Sequence, residues 1–108
     1  MNLLLNFPDA AQRREAETFE TLIERPALRV ERIVSTGQAS PPGFWYCQAQ
    51  GEWLALIAGR AALRFEDGDE VTLHPGDCLN IPARRKHRVE WTDATAPTVW
   101  LAVFYDES

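Results

Sequence analysis

The sequence predicts one small all-β domain, a barrel or sandwich preceded by a short helix. Three observations predict it. The chain has 108 residues, which suits one domain. From Leu28 onward the apolar residues recur with a period of two in short runs. Gly, Pro and Asp turns separate those runs, and no stretch between them is long enough for a crossover helix. That excludes a parallel α/β sheet.

Taken in order, Asp9 to Arg25 reads as helical. Asp9 after Pro8 is a candidate N-cap. Phe19, Leu22 and Ile23 fall on one side at spacings of three and four, and Pro26 would end the helix. Leu28, Val30, Arg32 and Val34 then alternate with Arg29, Glu31 and Ile33, which predicts a strand to about Ser35. Gly37 to Gly43 is a loop, Phe44 to Gln48 a short aromatic strand, and Glu52 to Ala58 a strand. Ala61 to Glu66 and Glu70 to Leu73 flank Asp67-Gly68, a strong hairpin signal. Pro75-Gly76-Asp77 turns the chain. Cys78 to Ile81, His87 to Trp91 and Thr98 to Tyr105 complete the strands. The expected division is an N-terminal arm and helix over 1–27, then a barrel over 28–108.

Composition narrows the functions. A hydrophobic share of 45%, with four Trp and five Phe, supports a core without metal or disulfide staples and argues against disorder. Sixteen Asp and Glu against eleven Lys and Arg give a formal charge of -5. That balance argues against nucleic acid as a partner. Cys47 and Cys78 are too few for a disulfide framework and read as buried reduced thiols, which suits the cytoplasm. Met1 to Leu5 lacks the features of a signal peptide, and no apolar run is long enough to span a membrane. Trp53 and Ile57 lie opposite Leu54 and Leu56, so this strand is apolar on both faces. Its outer face needs a cover, either the N-terminal helix or a second copy in a homodimer.

Two spacings carry a resemblance. Glu52 and Gly59 stand as the glutamate and final glycine of the first motif of the cupin superfamily. Counting back by the motif's shorter spacing puts Tyr46 and Gln48 at its two histidine positions; the longer spacing puts Trp45 and Cys47 there. Gly76, Pro82, Arg84, His87 and Trp91 match the second motif, with Arg84 in place of its second glycine and Trp91 in place of its asparagine. The chain therefore resembles a small single-domain bacterial cupin from about Ile33 to Phe104. The resemblance implies a cupin-type β-barrel, that is, a double-stranded β-helix or jelly roll. In the superfamily the two histidines, the glutamate and the later histidine hold iron, manganese, nickel, zinc or copper. Only Glu52 and His87 are retained here.

Strand alternation puts Tyr46 and Gln48 on one face of their segment, and His87, Val89 and Trp91 on one face of theirs. Two readings follow. In the first, Glu52, His87, Gln48 and Tyr46 ligate a divalent metal, and the protein is a metal-dependent enzyme of dioxygenase or isomerase type. In the second, preferred because both histidines are replaced, Tyr46, Gln48 and His87 hydrogen-bond Glu52. Phe44, Tyr46, Gln48, Arg84 and Trp91 then line a pocket for a small organic ligand. Arg84, Arg85, Lys86 and Arg88 read either as a solvated face or as a positive rim that steers an anionic ligand. His74 reads as a surface residue. No catalytic residue is assigned.

Overall fold

The structure is a computed structural model that describes residues 1–107. Helix α1 occupies only Asp9–Gln12, entered from Pro8 in extended conformation (φ -55°, ψ 152°) without a side-chain cap. Arg14 then adopts φ +58°, a left-handed conformation that stops a helix. Its guanidinium donates to the Ala94 carbonyl at 2.7 Å. The helix expected to run on to Arg25 is not there.

Thr18–Arg25 is instead strand β1. It pairs antiparallel with β2 (Leu28–Ser35), from Thr18 opposite Val34 to Arg25 opposite Leu28, and the register shifts at Leu22. Pro26 therefore sits in a hairpin turn and ends no helix. Thr18, Thr21 and Ile23 are β-branched and favour the pleated surface. A helix here would have buried a stripe of only one and a half turns, whereas pairing with β2 ties the segment to the sheet along its whole length.

The remaining strands are β3 (Gly51–Ala58), β4 (Ala61–Phe65), β5 (Glu70–Leu73), β6 (Cys78–Ile81), β7 (His87–Thr92) and β8 (Thr98–Tyr105). They form two antiparallel sheets, ordered β1-β2-β8-β3-β6 and β5-β4-β7, as in a jelly roll. Phe44–Gln48 is not a strand; its sheet-like pairing is a bridge from Tyr46 to His87.

Register sorts the side chains. Across the large sheet, Phe19, Ile33, Trp100 and Leu56 stand in one row, and Arg29, Phe104, Glu52 and Ile81 in another. This is the inner face. It packs on Ala61, Leu63, Phe65 and Leu73 of the small sheet to make the core. Leu56 and Phe65 are almost fully buried, each stabilising the fold by about 1.5–3 kcal/mol.

The N-terminal arm covers part of the outer face. Arg32, only 1% exposed, points outward from β2 and is enclosed by it. Its guanidinium donates to Glu20 at 2.6 Å, to the Leu5 carbonyl at 2.7 Å and to the Asn6 carbonyl at 3.0 Å. Farther along the same face, Leu101 and Val103 remain half-buried and Trp53 exposed. No helix among the described residues is long and apolar enough to cross a membrane.

Candidate functional site

His87 opens β7 opposite Phe65, so its imidazole faces inward. The backbone N–H of Tyr46 donates to the His87 carbonyl at 2.7 Å, and the N–H of His87 donates back at 3.1 Å. That exchange fixes the segment carrying Tyr46 beside β7. The imidazole Nδ1 lies 2.9 Å from the Arg85 carbonyl. A carbonyl only accepts, so Nδ1 carries a proton, and in the neutral tautomer that leaves Nε2 as the acceptor facing the interior. Tyr46 stacks on the imidazole, ring centres 5.4 Å apart.

Glu52 reaches the same place from β3. It is 6% exposed, and none of the hydrogen bonds among the described residues ends on its carboxyl oxygens. Its Oε1 stands 3.6 Å from His87 Nε2, beyond hydrogen-bond reach. The hydrogen bonds expected from Tyr46, Gln48 and His87 to Glu52 are therefore not formed. The four side chains instead line a shared cavity of about 70 Å³, walled by Phe19, Ile33, Leu54, Leu63, Val89, Trp100 and Phe104.

A fifth polar group, which strand-by-strand reading of the sequence misses, lines this cavity: Glu17. The Ser35 hydroxyl donates to its carboxyl, and Trp100 Nε1–H donates to the same hydroxyl at 3.0 Å. The signal lies in strand periodicity, because Glu17 precedes Phe19 by two and shares its face. A helical reading of that stretch conceals it.

Burial pushes the Glu17 carboxyl above the usual carboxylate range, against the opposing effect of the Ser35 hydrogen bond. Burial also raises the Tyr46 phenol, helped by the negative charge of Glu17 and then of Glu52. Tyr46 is thereby held as a neutral donor at neutral pH. For Glu17 the sign is clear. A folded-state pKa raised above the unfolded one gives stability that is present below the ordinary carboxylate pKa and lost as pH rises through the raised value. Glu17→Gln is expected to raise the melting temperature at about pH 7–8. The difference should vanish below about pH 4, as read by thermal unfolding followed by circular dichroism.

The donor set does not fit a tightly held divalent metal. Glu52 and His87 are two firm ligands, whereas a zinc site of catalytic type has about three; Glu17 lines the same cavity but does not group with them as a third ligand. Gln48 brings no charge, and the phenol of Tyr46 is pushed away from phenolate. No group of three His, Cys, Asp or Glu suited to a metal occurs among the described residues.

Other residues read as site candidates lie elsewhere. Phe44 is 43% exposed and meets Tyr46 edge-on at 4.8 Å from outside the cavity lining. Trp91 does not share the face of His87 and Val89. β7 holds an extra residue at Glu90, since Leu63 pairs with Val89 but Ala62 with Trp91. Such a bulge reverses the alternation and leaves Trp91 38% exposed. Cys47 and Cys78 are both exposed, which corrects the buried reading. Cys78 pairs with Ala55 on the outer face, at an edge strand.

The basic cluster is largely committed to other partners. Arg85 pairs with Asp67 at 3.1 Å and Asp69 at 3.3 Å and lies 3.8 Å over the Phe65 ring. Lys86 lies 3.7 Å from Glu66. Arg88 pairs with Glu90 at 3.1 Å and donates to the Pro41 and Ser40 carbonyls at 3.0 Å each. Arg84 lines a separate surface depression with Glu66, Asp67, Arg85 and Lys86. Its backbone has φ +64°, the left-handed region, at the position where the motif has glycine. Arg84→Gly is expected to stabilise the fold by about 1 kcal/mol, because the strain removed exceeds the added chain entropy. Urea unfolding would measure it.

Residues 32–104 match the family model described as a cupin domain. No curated protein matches the chain. Among solved structures, a protein from Ralstonia eutropha JMP134, named as a candidate mannose-6-phosphate isomerase, is 46% identical. The match covers 99% of this chain and 97% of that one, with a TM-score of 0.92. A cupin superfamily protein from Desulfitobacterium hafniense DCB-2 is 14% identical over 88% of this chain and 82% of that one, with a TM-score of 0.74. An RmlC-like cupin from Shewanella frigidimarina NCIMB 400 is 15% identical over 84% and 77%, with a TM-score of 0.70. The last two likenesses concern the fold alone.

Proposed function

The chain belongs to the cupin domain family, and from that premise we propose that it binds a small organic molecule in the cavity between its sheets, without a resident metal. One observation carries this reading: the side chain of Glu52, more than nine-tenths buried, accepts no hydrogen bond from the described residues, and it lines a cavity its carboxyl oxygens can reach. Burying a carboxylate without hydrogen bonds is costly, so a ligand that donates to it recovers part of that cost. His87 Nε2 offers an acceptor and Tyr46 a donor beside it.

The second reading is a metal-dependent isomerase, favoured by the 46% identity to the Ralstonia protein. Two features weigh against it: the thin donor set, and the absence of any Lys or Arg from the cavity lining, where a sugar phosphate would need positive charge. Elemental analysis separates the two. Protein purified without a chelating tag and supplemented with iron, manganese, nickel, copper and zinc is expected to hold well under one metal per chain. A stoichiometric metal lost in both Glu52→Gln and His87→Ala would overturn the metal-free reading.

A further inference from the structure

We infer that this cavity takes a small organic cation, an alkylated ammonium group, with Glu52 and Glu17 as its counter-charges and the rings of Phe19, Tyr46 and Trp100 as its walls. The inference rests on the ligand-cavity reading above and gives that ligand a chemical class.

Charge is the first argument. Both carboxyl groups line the cavity and no Lys or Arg does. An anion placed against Glu52 would be repelled by its like charge. The neighbouring basic residues offer little relief. Arg85, Lys86 and Arg88 are already paired with acidic groups.

The second argument is the unmet need of Glu52. Its side chain is 9% exposed, lines the cavity, and accepts no hydrogen bond among the described residues. The nearest candidate, His87 Nε2 at 3.6 Å, is out of hydrogen-bond range, and the Nδ1 proton is spent on the Arg85 carbonyl. An ammonium N–H would supply the missing donor as a charge-assisted bond.

The walls and the volume point to an organic cation over a metal ion. Aromatic faces attract a cation through the ring quadrupole. A divalent ion would need three firm donors converging on one point, and Glu17, Glu52 and His87 do not form such a group. A volume of about 70 Å³ equals that of two to three water molecules at about 30 Å³ each in the liquid, so the group it holds is small. Trimethylammonium is of that size, and drug-sized ligands need several hundred Å³.

The test is an NMR titration of the full chain with three probes of similar shape: trimethylammonium, tert-butanol and pivalate. Trimethylammonium is expected to shift the indole N–H of Trp100, which connects to Glu17 through Ser35, and to bind at least tenfold tighter than tert-butanol. Pivalate is expected not to bind. Glu52→Gln should lower trimethylammonium affinity at least tenfold and leave tert-butanol unchanged. If that variant does not fold, Glu17→Gln serves, with a severalfold loss expected. Equal affinities for trimethylammonium and tert-butanol, binding of pivalate, or trimethylammonium binding that leaves Trp100 unshifted would overturn the cation inference while the ligand cavity stands. Failure of all three probes to bind would overturn the cavity reading and the inference together.

Discussion

Replacing Gly59 with alanine is expected to destabilise the protein by about 3 kcal/mol or more. Gly59 has φ +82°, and a Cβ there would lie 2.6 Å from the Thr98 Cα and 2.8 Å from the Pro97 carbonyl oxygen. Two costs add: left-handed backbone for an L-residue, about 1–2 kcal/mol, and overpacking against backbone, about 1–3 kcal/mol. The obstructing atoms belong to the start of β8, which pairs with both β2 and β3, so relief requires shifting the central strand. Gly68 provides the comparison. It has φ +112°, but a methyl group there would meet nothing within 4 Å, so Gly68→Ala should cost only the backbone share. Thermal unfolding of the two variants should separate by roughly 4–8 °C per kcal/mol of difference. Equal losses would mean that the close approach of β8 carries no energetic weight.

Arg32→Ala is expected to cost about 3 kcal/mol, because a buried guanidinium and several hydrogen bonds from a charged group, about 1.5–3 kcal/mol each, are lost, while Glu20 stays partly open to water. The substitution removes the partner of Glu20 and the donor that holds the Leu5 and Asn6 carbonyls. It also removes a guanidinium 5.3 Å from the Phe7 ring. The arm should then leave the outer face, since water can satisfy its carbonyls only once it detaches. Limited proteolysis should cut within residues 1–12 of the variant well before the wild type, and urea unfolding should give the energy. Loss of the Glu20 contact should also loosen β1 and with it the Phe19 wall of the cavity. A variant with wild-type stability and a protected arm would show that the guanidinium is dispensable there.

Much of the fold is legible in the sequence because strands β2 to β8 announce themselves through alternation, turn residues and motif spacing. Motif spacing singles out Tyr46, Gln48, Glu52 and His87, and alternation turns each toward the interior, where they line one cavity. Two irregularities defeat it. In β1 the register shift at Leu22 sets Leu22 and Ile23 side by side. With Phe19 they mimic helical spacing, so the strand reads as a helix. Glu17 disappears with that error. In β7 the extra residue at Glu90 turns Trp91 outward, and a period-two reading has no means of counting a bulge. Arg84 is legible as a departure from glycine, but the left-handed backbone it must adopt is not.

Tyr46 and Gln48 stand outside the ladders, on a segment tied down by one bridge to His87, by the Arg84 N–H donating to the Gln48 carbonyl at 2.7 Å, and by the grip of Arg88 on Ser40 and Pro41. Every one of those ties on the segment's own side is a main-chain carbonyl or amide. Evolution is therefore free to exchange the side chains at 46 and 48, retuning selectivity without rewriting the sheets that keep the molecule folded.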